Sequence, residues 1–151
     1  MWQPSPFLPV AFLSVVPAPN KWIMGAIAQV PDANWSALDE RERAYVRKPV
    51  PTSDVDHDHP QAEVQIYAVE TPVAPNPDQP ILLSYIDVVA QGFLREHGEE
   101  GIDDFFQTTT GWEVPVKNDR ANPQYPRHQT LTESETALVD KYLERLATVV
   151  D

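Results

Sequence analysis

The chain has 151 residues, 42% of them hydrophobic, so it is long enough and apolar enough to form the core of one domain. Acidic residues outnumber Lys and Arg by 23 to 11, and the resulting formal charge of −12 argues against nucleic acid and anionic membrane surfaces as partners. Cysteine is absent, which excludes disulfides, thiolate catalysis and cysteine-ligated metals and is compatible with a cytoplasmic location.

The first two apolar runs are predicted to be strands. Residues 7–19 (FLPVAFLSVVPAP) are rich in β-branched and aromatic side chains, which favour a strand. The run lacks a preceding basic region and is interrupted by Pro9 and Pro17, so it resembles neither a signal peptide nor a membrane-spanning helix. Residues 21–31 (KWIMGAIAQVP) are predicted to form a second strand, in which Gly25 indicates a bulge or a close backbone approach.

A short helix is predicted from Asn34, whose side chain suits an N-cap. In a helix, Trp35, Leu38, Glu42 and Tyr45 share one face, since they are three, four and three residues apart. This face is apolar except for the carboxylate, which requires an explanation.

Two explanations for Glu42 follow from the pattern. In the first, the carboxylate lies at the rim of the core and pairs with Arg47 or Lys48. In the second, it enters a pocket lined by the apolar residues of the same face, where a carboxyl group can accept and donate protons near neutral pH.

The remaining elements predict an α+β domain. Residues 44–50 and 62–70 are extended, and the second of these segments alternates apolar and polar side chains as a half-buried strand does. A helix is predicted from Pro80 to Gly98, a shorter one after it, and a last one that opens with Thr132 and Glu135 at capping-box spacing. Strands followed by helices indicate a mostly antiparallel sheet that can close into a small barrel.

Two polar segments offer further chemistry. The segment DVDHDHP contains Asp54, Asp56, His57, Asp58 and His59, and such residues can bind a divalent metal; neighbours in an extended loop point to opposite sides, however, so a solvated acidic loop is favoured.

The long loop at residues 114–129 contains Asp119, Arg120, Tyr125, Arg127 and His128. Its basic residues are suited to an anionic substrate. The favoured alternative is a loop that is attached to the domain by an Arg–Asp pair and a packed tyrosine.

The segment Leu38–Tyr45 resembles the Leu-Asp-x-x-Glu signature of gamma-glutamylcyclotransferase-like proteins, and Glu42 matches its final glutamate. Residues 22–31 and 64–69 are similar to the strands on either side of this signature. Residues 82–98 resemble the family's tyrosine-bearing helix, with Tyr85 as the tyrosine that faces the cavity. The segments FFQTTTGW, NDRANPQYPRH and LTESE resemble a bacterial branch of the family.

This resemblance implies a small β-barrel with flanking helices and an enzyme that converts a gamma-glutamyl amine to 5-oxoproline and free amine. Glu42 is then the catalytic acid and base, Tyr85 and Tyr45 bind the substrate, and neither a cofactor nor a metal is required. The implied partner is a small gamma-glutamyl molecule in the cytoplasm.

One departure from the family leaves a second possibility open. Its members begin with a strand that ends in Tyr-Gly-Ser-Leu, whose backbone N–H groups hold the substrate's α-carboxylate, and this tetrapeptide does not occur in the sequence. Residues 1–151 are therefore expected to be a single domain that is incomplete at its N-terminus. The alternative functions are a non-catalytic binding module on the same fold and a hydrolase of related amides.

Overall fold

The computed structural model describes residues 1–59 and 61–146 and has α+β architecture, as the sequence predicts. In chain order, the strands and helices are β1 (Trp2–Pro4), β2 (Ala11–Leu13), α1 (Trp35–Arg41), β3 (Val46–Pro49), β4 (Gln65–Ala68), β5 (Ile81–Leu82), α2 (Leu83–Thr108), β6 (Val116–Lys117) and α3 (Glu133–Arg145). Short 3₁₀ turns occur at Pro31–Ala33 and Thr52–Asp54.

The strands pair in three two-stranded sheets. The pairs β1–β2 and β3–β4 are antiparallel, with Trp2 opposite Leu13 and Val46 opposite Ala68. The pair β5–β6 is parallel, with Ile81 opposite Val116. The expectation of mostly antiparallel pairing is confirmed, and within the residues described these sheets do not form a closed barrel.

The predicted N-terminal strands are much shorter than expected. Only Ala11–Leu13 of residues 7–19 is a strand, and the strand predicted at residues 21–31 is wrong, because residues 14–30, all of them described, contain neither helix nor strand. The backbone N–H of Met24 donates to Asp104 Oδ2 at 3.0 Å and not to a neighbouring strand. A side chain at Gly25 would meet nothing within 4 Å, so the predicted close approach is also wrong.

The core forms where α2 packs on the small sheets and on α3. Its members are fully or nearly fully buried apolar residues, namely Trp2, Ala11, Ile81, Leu83, Ile86, Ala90, Ile102, Phe105, Phe106, Val114, Val116, Val139 and Leu143. Removing these side chains from water is the main favourable contribution to folding.

The predicted helix boundaries are mostly confirmed. Gly98 has φ +69° and interrupts α2 between two helical segments, as expected for a C′ glycine. Thr132 and Glu135 form the predicted capping box at the start of α3. The helical first turn predicted at Pro80 is wrong, because β5 follows this residue and α2 begins at Leu83.

The loop between β6 and α3 is attached to α2 by two contacts, each of which involves an aspartate. Asp119 is buried and accepts hydrogen bonds from the Ser84 N–H and hydroxyl at 2.8 and 2.6 Å and from the Gln124 N–H at 2.7 Å. Arg120 makes a bidentate pair with Asp87, with both N–O distances 2.8 Å, and the predicted Arg–Asp attachment of this loop is confirmed.

None of the helices within residues 1–59 and 61–146 combines the length and the apolar character that crossing a lipid bilayer requires.

We predict that Asp119→Asn lowers the free energy of unfolding by about 2 kcal/mol, because the amide cannot accept all the hydrogen bonds of the carboxylate. Burial raises the pKa of Asp119, but the hydrogen bonds from Ser84 and Gln124 outweigh it and hold this pKa below its ordinary value. A lowered folded-state pKa stabilises the fold above the unfolded-state pKa and ceases to do so as the pH falls through the folded-state pKa.

Urea denaturation of the wild type and the variant between pH 7 and pH 3 measures both effects. The difference between the two proteins should shrink below about pH 4. Asp78→Asn removes an exposed carboxylate and is the matched control, for which no difference is expected. Equal stability of Asp119→Asn and wild type at pH 7 would show that the contact does not stabilise the loop.

Candidate functional site

Glu42 is the C-cap residue of α1, and Tyr45 lies in the turn that follows, so only Trp35 and Leu38 of the predicted helical face are in the helix itself. The Asn34 side chain caps the helix by accepting from the Ala37 N–H at 3.2 Å, and the Glu42 N–H donates to the Leu38 carbonyl at 2.9 Å. The four residues of the predicted face are all partly buried, namely Trp35, Leu38, Glu42 and Tyr45. The Glu42 side chain is 19% exposed, so the carboxylate is at the edge of the protein interior.

The ion pair of Glu42 is not the predicted one. Its Oε1 lies 2.9 Å from Nε of Arg41, whose side chain is 62% exposed. The expected pairing with Arg47 or Lys48 is wrong, because Arg47 binds Asp39 and Lys48 donates to the Val69 carbonyl. A pair with such an exposed arginine contributes little to stability, so a substrate can displace Arg41 at small cost.

Tyr45 is connected to the end of β2. Its hydroxyl donates to the Leu13 carbonyl at 2.7 Å, and its ring packs edge-on against Phe12 with centroids 5.2 Å apart. Burial, followed by the neighbouring Tyr85 and the charge of Glu42, raises the pKa of Tyr45. Because its hydroxyl is already bound, Tyr45 contributes its ring to the site and holds the end of α1 against β2.

Tyr85 lies at the beginning of α2, in contact with aromatic rings. It packs edge-on against the buried Trp2 at 5.3 Å and is stacked on Tyr125, with centroids 4.3 Å and planes 7° apart. Burial, then the neighbouring Tyr125 hydroxyl, raise the pKa of Tyr85 to about 12. The phenol is therefore protonated at neutral pH and can donate a hydrogen bond.

The charge of Glu42 raises the pKa of both Tyr45 and Tyr85, and the charge of Arg127 lowers both. The contacts agree with these effects, since the Tyr45 N–H donates to the Glu42 carbonyl at 2.8 Å, Tyr85 stacks on Tyr125, and Arg127 Cζ lies 5.9 Å from the Tyr125 ring centroid. We refer to Glu42, Tyr45, Tyr85, Tyr125 and Arg127 as the tyrosine cluster. It contains the three residues predicted as the site and two residues of the loop at 114–129.

A second polar feature adjoins this cluster. Asp39 Oδ1 accepts from the Tyr67 hydroxyl at 2.6 Å and from Arg47 Nε at 2.9 Å, and the bond from Tyr67 is the main reason that the pKa of Asp39 is lowered. These residues belong to an open depression of about 560 Å³, which we call the Asp39 depression; its lining is Asp39, Tyr45, Val46, Arg47, Gln65 and Tyr67. Tyr45 thus belongs to both the depression and the tyrosine cluster.

Some parts of this region were not predicted. The hydrogen bond from Tyr45 to the Leu13 carbonyl joins residues 32 positions apart, and the bond from Tyr67 to Asp39 joins residues 28 positions apart. The sequence carries one signal for the Asp39 network, since Asp39 belongs to the same five-residue motif as Glu42.

The acidic segment at residues 54–59 has local contacts only. Ser53 donates to Asp54, and the His59 N–H donates to Nδ1 of His57 at 3.0 Å. Throughout residues 1–59 and 61–146, no group of three or more His, Asp or Glu side chains is arranged to hold a metal ion.

Comparisons of the chain with protein-family models, with curated proteins and with solved structures gave no significant match. The function is therefore inferred from the residues and their geometry.

We predict opposite changes in the pKa of Tyr85 when its charged neighbours are neutralised. Glu42→Gln removes a negative charge, so the pKa should fall below about 12, whereas Arg127→Gln removes a positive charge, so the pKa should rise. NMR of tyrosine labelled with ¹³C at Cζ measures the titration over the alkaline range in which the methyl signals of the folded protein persist.

Tyr85→Phe identifies the signal of Tyr85, and Glu40→Gln, an exposed acid on the same helix, is the matched control. If the pKa of Tyr85 shifts in the same direction in both variants, or does not shift, the charges of Glu42 and Arg127 do not act on Tyr85 as predicted.

Proposed function

We propose that the chain is a gamma-glutamylcyclotransferase-like enzyme that converts a gamma-glutamyl amine to 5-oxoproline and free amine. The observation that supports this proposal is the position of Glu42. Its side chain is 19% exposed, and its carbonyl accepts from the N–H of Tyr45, whose hydroxyl binds the Leu13 carbonyl. Burial is the main cause of the raised pKa of Tyr45 and Tyr85, and the charge of Glu42 adds to it. A carboxylate with a weak ion pair beside a protonated phenol can transfer protons to and from a bound substrate.

The proposed reaction is an intramolecular aminolysis. The neutral α-amine of the substrate attacks its own γ-carbonyl carbon, which forms the ring C–N bond and a tetrahedral oxyanion. Collapse of this intermediate breaks the bond between the γ-carbon and the leaving nitrogen. The atoms balance without water, since one gamma-glutamyl amine yields one 5-oxoproline and one amine. The chemistry requires proton transfer and no redox or group-transfer cofactor.

The residues of the cluster have distinct proposed roles. Glu42 accepts the proton that the attacking amine loses and returns it to the leaving nitrogen. Tyr85, protonated at neutral pH, donates a hydrogen bond to the substrate or to the developing oxyanion. Tyr45 binds the substrate through its ring and holds the Glu42 turn against β2 through its bond to the Leu13 carbonyl.

We also propose that the three small sheets correspond to an open form of the family's small barrel. Two hydrogen bonds between sheets support this assignment. The Ala11 N–H of β2 donates to the Pro80 carbonyl beside β5 at 2.9 Å, and the Val69 N–H after β4 donates to the Ser14 hydroxyl after β2 at 3.1 Å. The site proposed above lies beside the end of β2, next to the second of these connections.

The net charge of −12 and the absence of cysteine support a small-molecule substrate in the cytoplasm over a polyanionic partner. A non-catalytic binding module is the alternative function. It is favoured by the absence of the Tyr-Gly-Ser-Leu tetrapeptide from residues 1–151 and by the Arg41 side chain that pairs with Glu42.

We predict that purified protein forms 5-oxoproline from gamma-glutamyl amino acids and that Glu42→Gln lowers kcat by about 10²- to 10⁴-fold. The amide keeps the shape of the side chain but cannot transfer protons. Chromatographic measurement of 5-oxoproline and free amine, released in equal amounts, gives the rate.

Glu40→Gln is the matched control, because Glu40 is exposed on the same helix and should not affect the rate. Turnover that is unchanged in Glu42→Gln would remove the proposed role of Glu42. Binding of gamma-glutamyl amino acids without turnover by the wild type would support the binding module, and release of glutamate in place of 5-oxoproline would support a hydrolase.

A further inference from the structure

Arg127, a member of the tyrosine cluster, lies at the tip of a tight turn. The His128 N–H donates to the Tyr125 carbonyl at 3.1 Å, and Pro126 and Arg127 are the two central residues of the turn. Proline is favoured at the first central position because its φ is already suitable. The turn orients Arg127 so that its Cζ lies 5.9 Å from the centroid of the Tyr125 ring, which is itself stacked on Tyr85.

The base of this turn is held in a single arrangement. Asp119 accepts from the Gln124 N–H, and the Tyr125 N–H donates to the Ser84 hydroxyl at 3.3 Å. The side chain of Arg120 makes its bidentate pair with Asp87 in α2 and contacts Asp140 in α3. The backbone of the turn that carries Arg127 is thus held near Tyr85 before any ligand binds, which reduces the entropy cost of using this residue for binding.

Within the residues described, Arg127 has no acidic partner, as is also true of Arg43, which lies over the Phe7 ring; Arg127 differs from Arg43 in lying over Tyr125. Arg41, Arg47 and Arg120 each pair with a carboxylate. Within the described part of the chain, the exposed Arg127 guanidinium has no ion pair and donates no side-chain hydrogen bond. In a protein with 23 acidic residues and 11 Lys and Arg, a cation without such a partner beside a cluster of phenols is available for an anionic ligand.

We propose that Arg127 binds the α-carboxylate of the substrate, while Glu42 receives the proton of the α-amine. The tyrosine cluster contains a cation and a carboxylate, which match the two charged groups of an α-amino acid. The inference rests on the proposed function and deepens it, since it assigns the residue that binds the α-carboxylate of the substrate.

The effects on the two phenols support this arrangement. The Arg127 charge lowers the pKa of Tyr45 and Tyr85 and the Glu42 charge raises both, so the two charges act on one region from within range of the same hydroxyl groups. A side-chain guanidinium can thereby provide the carboxylate contact that a Tyr-Gly-Ser-Leu segment provides through backbone N–H groups.

The test compares a gamma-glutamyl amine with its α-carboxamide analogue, which lacks the anion. For Arg127→Gln, the KM for the free α-carboxylate should rise roughly 10- to 100-fold, with kcat nearly unchanged and with little change in KM for the carboxamide. Arg127→Lys should recover part of the affinity, because it keeps the charge but not the bidentate geometry. Arg145→Gln is the matched control, since Arg145 lies 5.4 Å over the ring of Tyr142 in α3 and should not alter KM.

Calorimetric binding of L-glutamate and of its α-amide, which needs no turnover, separates this inference from the proposed function. One possible result is that the wild type turns over both substrates and Arg127→Gln shows the same ratio of KM values for them. That result would overturn the role of Arg127 and leave the enzyme assignment intact. No turnover, but glutamate binding that requires both the α-carboxylate and Arg127, would overturn the enzyme assignment and support the anion site. If the protein shows no turnover and does not bind glutamate, both the enzyme assignment and the role of Arg127 are overturned.

Discussion

Asp119 joins two parts of the chain that lie 35 residues apart. Its buried carboxylate accepts from the backbone and side chain of Ser84 at the beginning of α2 and from the Gln124 backbone in the long loop. A buried carboxylate is tolerated only when such donors replace the water it has lost. Because Tyr85 follows Ser84 and Tyr125 follows Gln124, this contact also aligns the two rings that stack at the centre of the site. The fold and the proposed site therefore depend on the same buried charge.

The balance of charge around the phenols follows from the composition. Most of the acidic residues are exposed to water, where their charges are screened, so they have little effect on the interior. Glu42 is a partly buried acid, and its charge adds to the effect of burial in raising the pKa of Tyr45 and Tyr85. The charge of Arg127 acts on the same two phenols with opposite sign. A region with both signs of charge and protonated hydroxyl groups suits a zwitterionic ligand better than a simple anion or cation. This is the physical basis of the proposed gamma-glutamyl substrate.

Features with local causes could be predicted from the sequence, and features that need distant partners could not. The capping box of Thr132 and Glu135, the helix end at Gly98 and the partly buried face of α1 each depend on residues within one or two helical turns. Residues 21–31 have the composition of a strand, but a strand forms only where a neighbouring strand accepts its hydrogen bonds. Likewise, the choice of Arg41 as the partner of Glu42 depends on Asp39, which binds Arg47 and accepts a hydrogen bond from Tyr67.

Trp2 gives the molecule an optical signal at the back of the site. Its indole is completely buried and packs edge-on against Tyr85 and Trp112, whereas the Trp22 side chain is 66% exposed. An indole in such surroundings emits at shorter wavelength than one in water, and its emission is sensitive to changes in adjacent rings. Intrinsic fluorescence therefore offers a label-free view of ligands that reach Tyr85, with the red-shifted contribution of Trp22 as an internal reference.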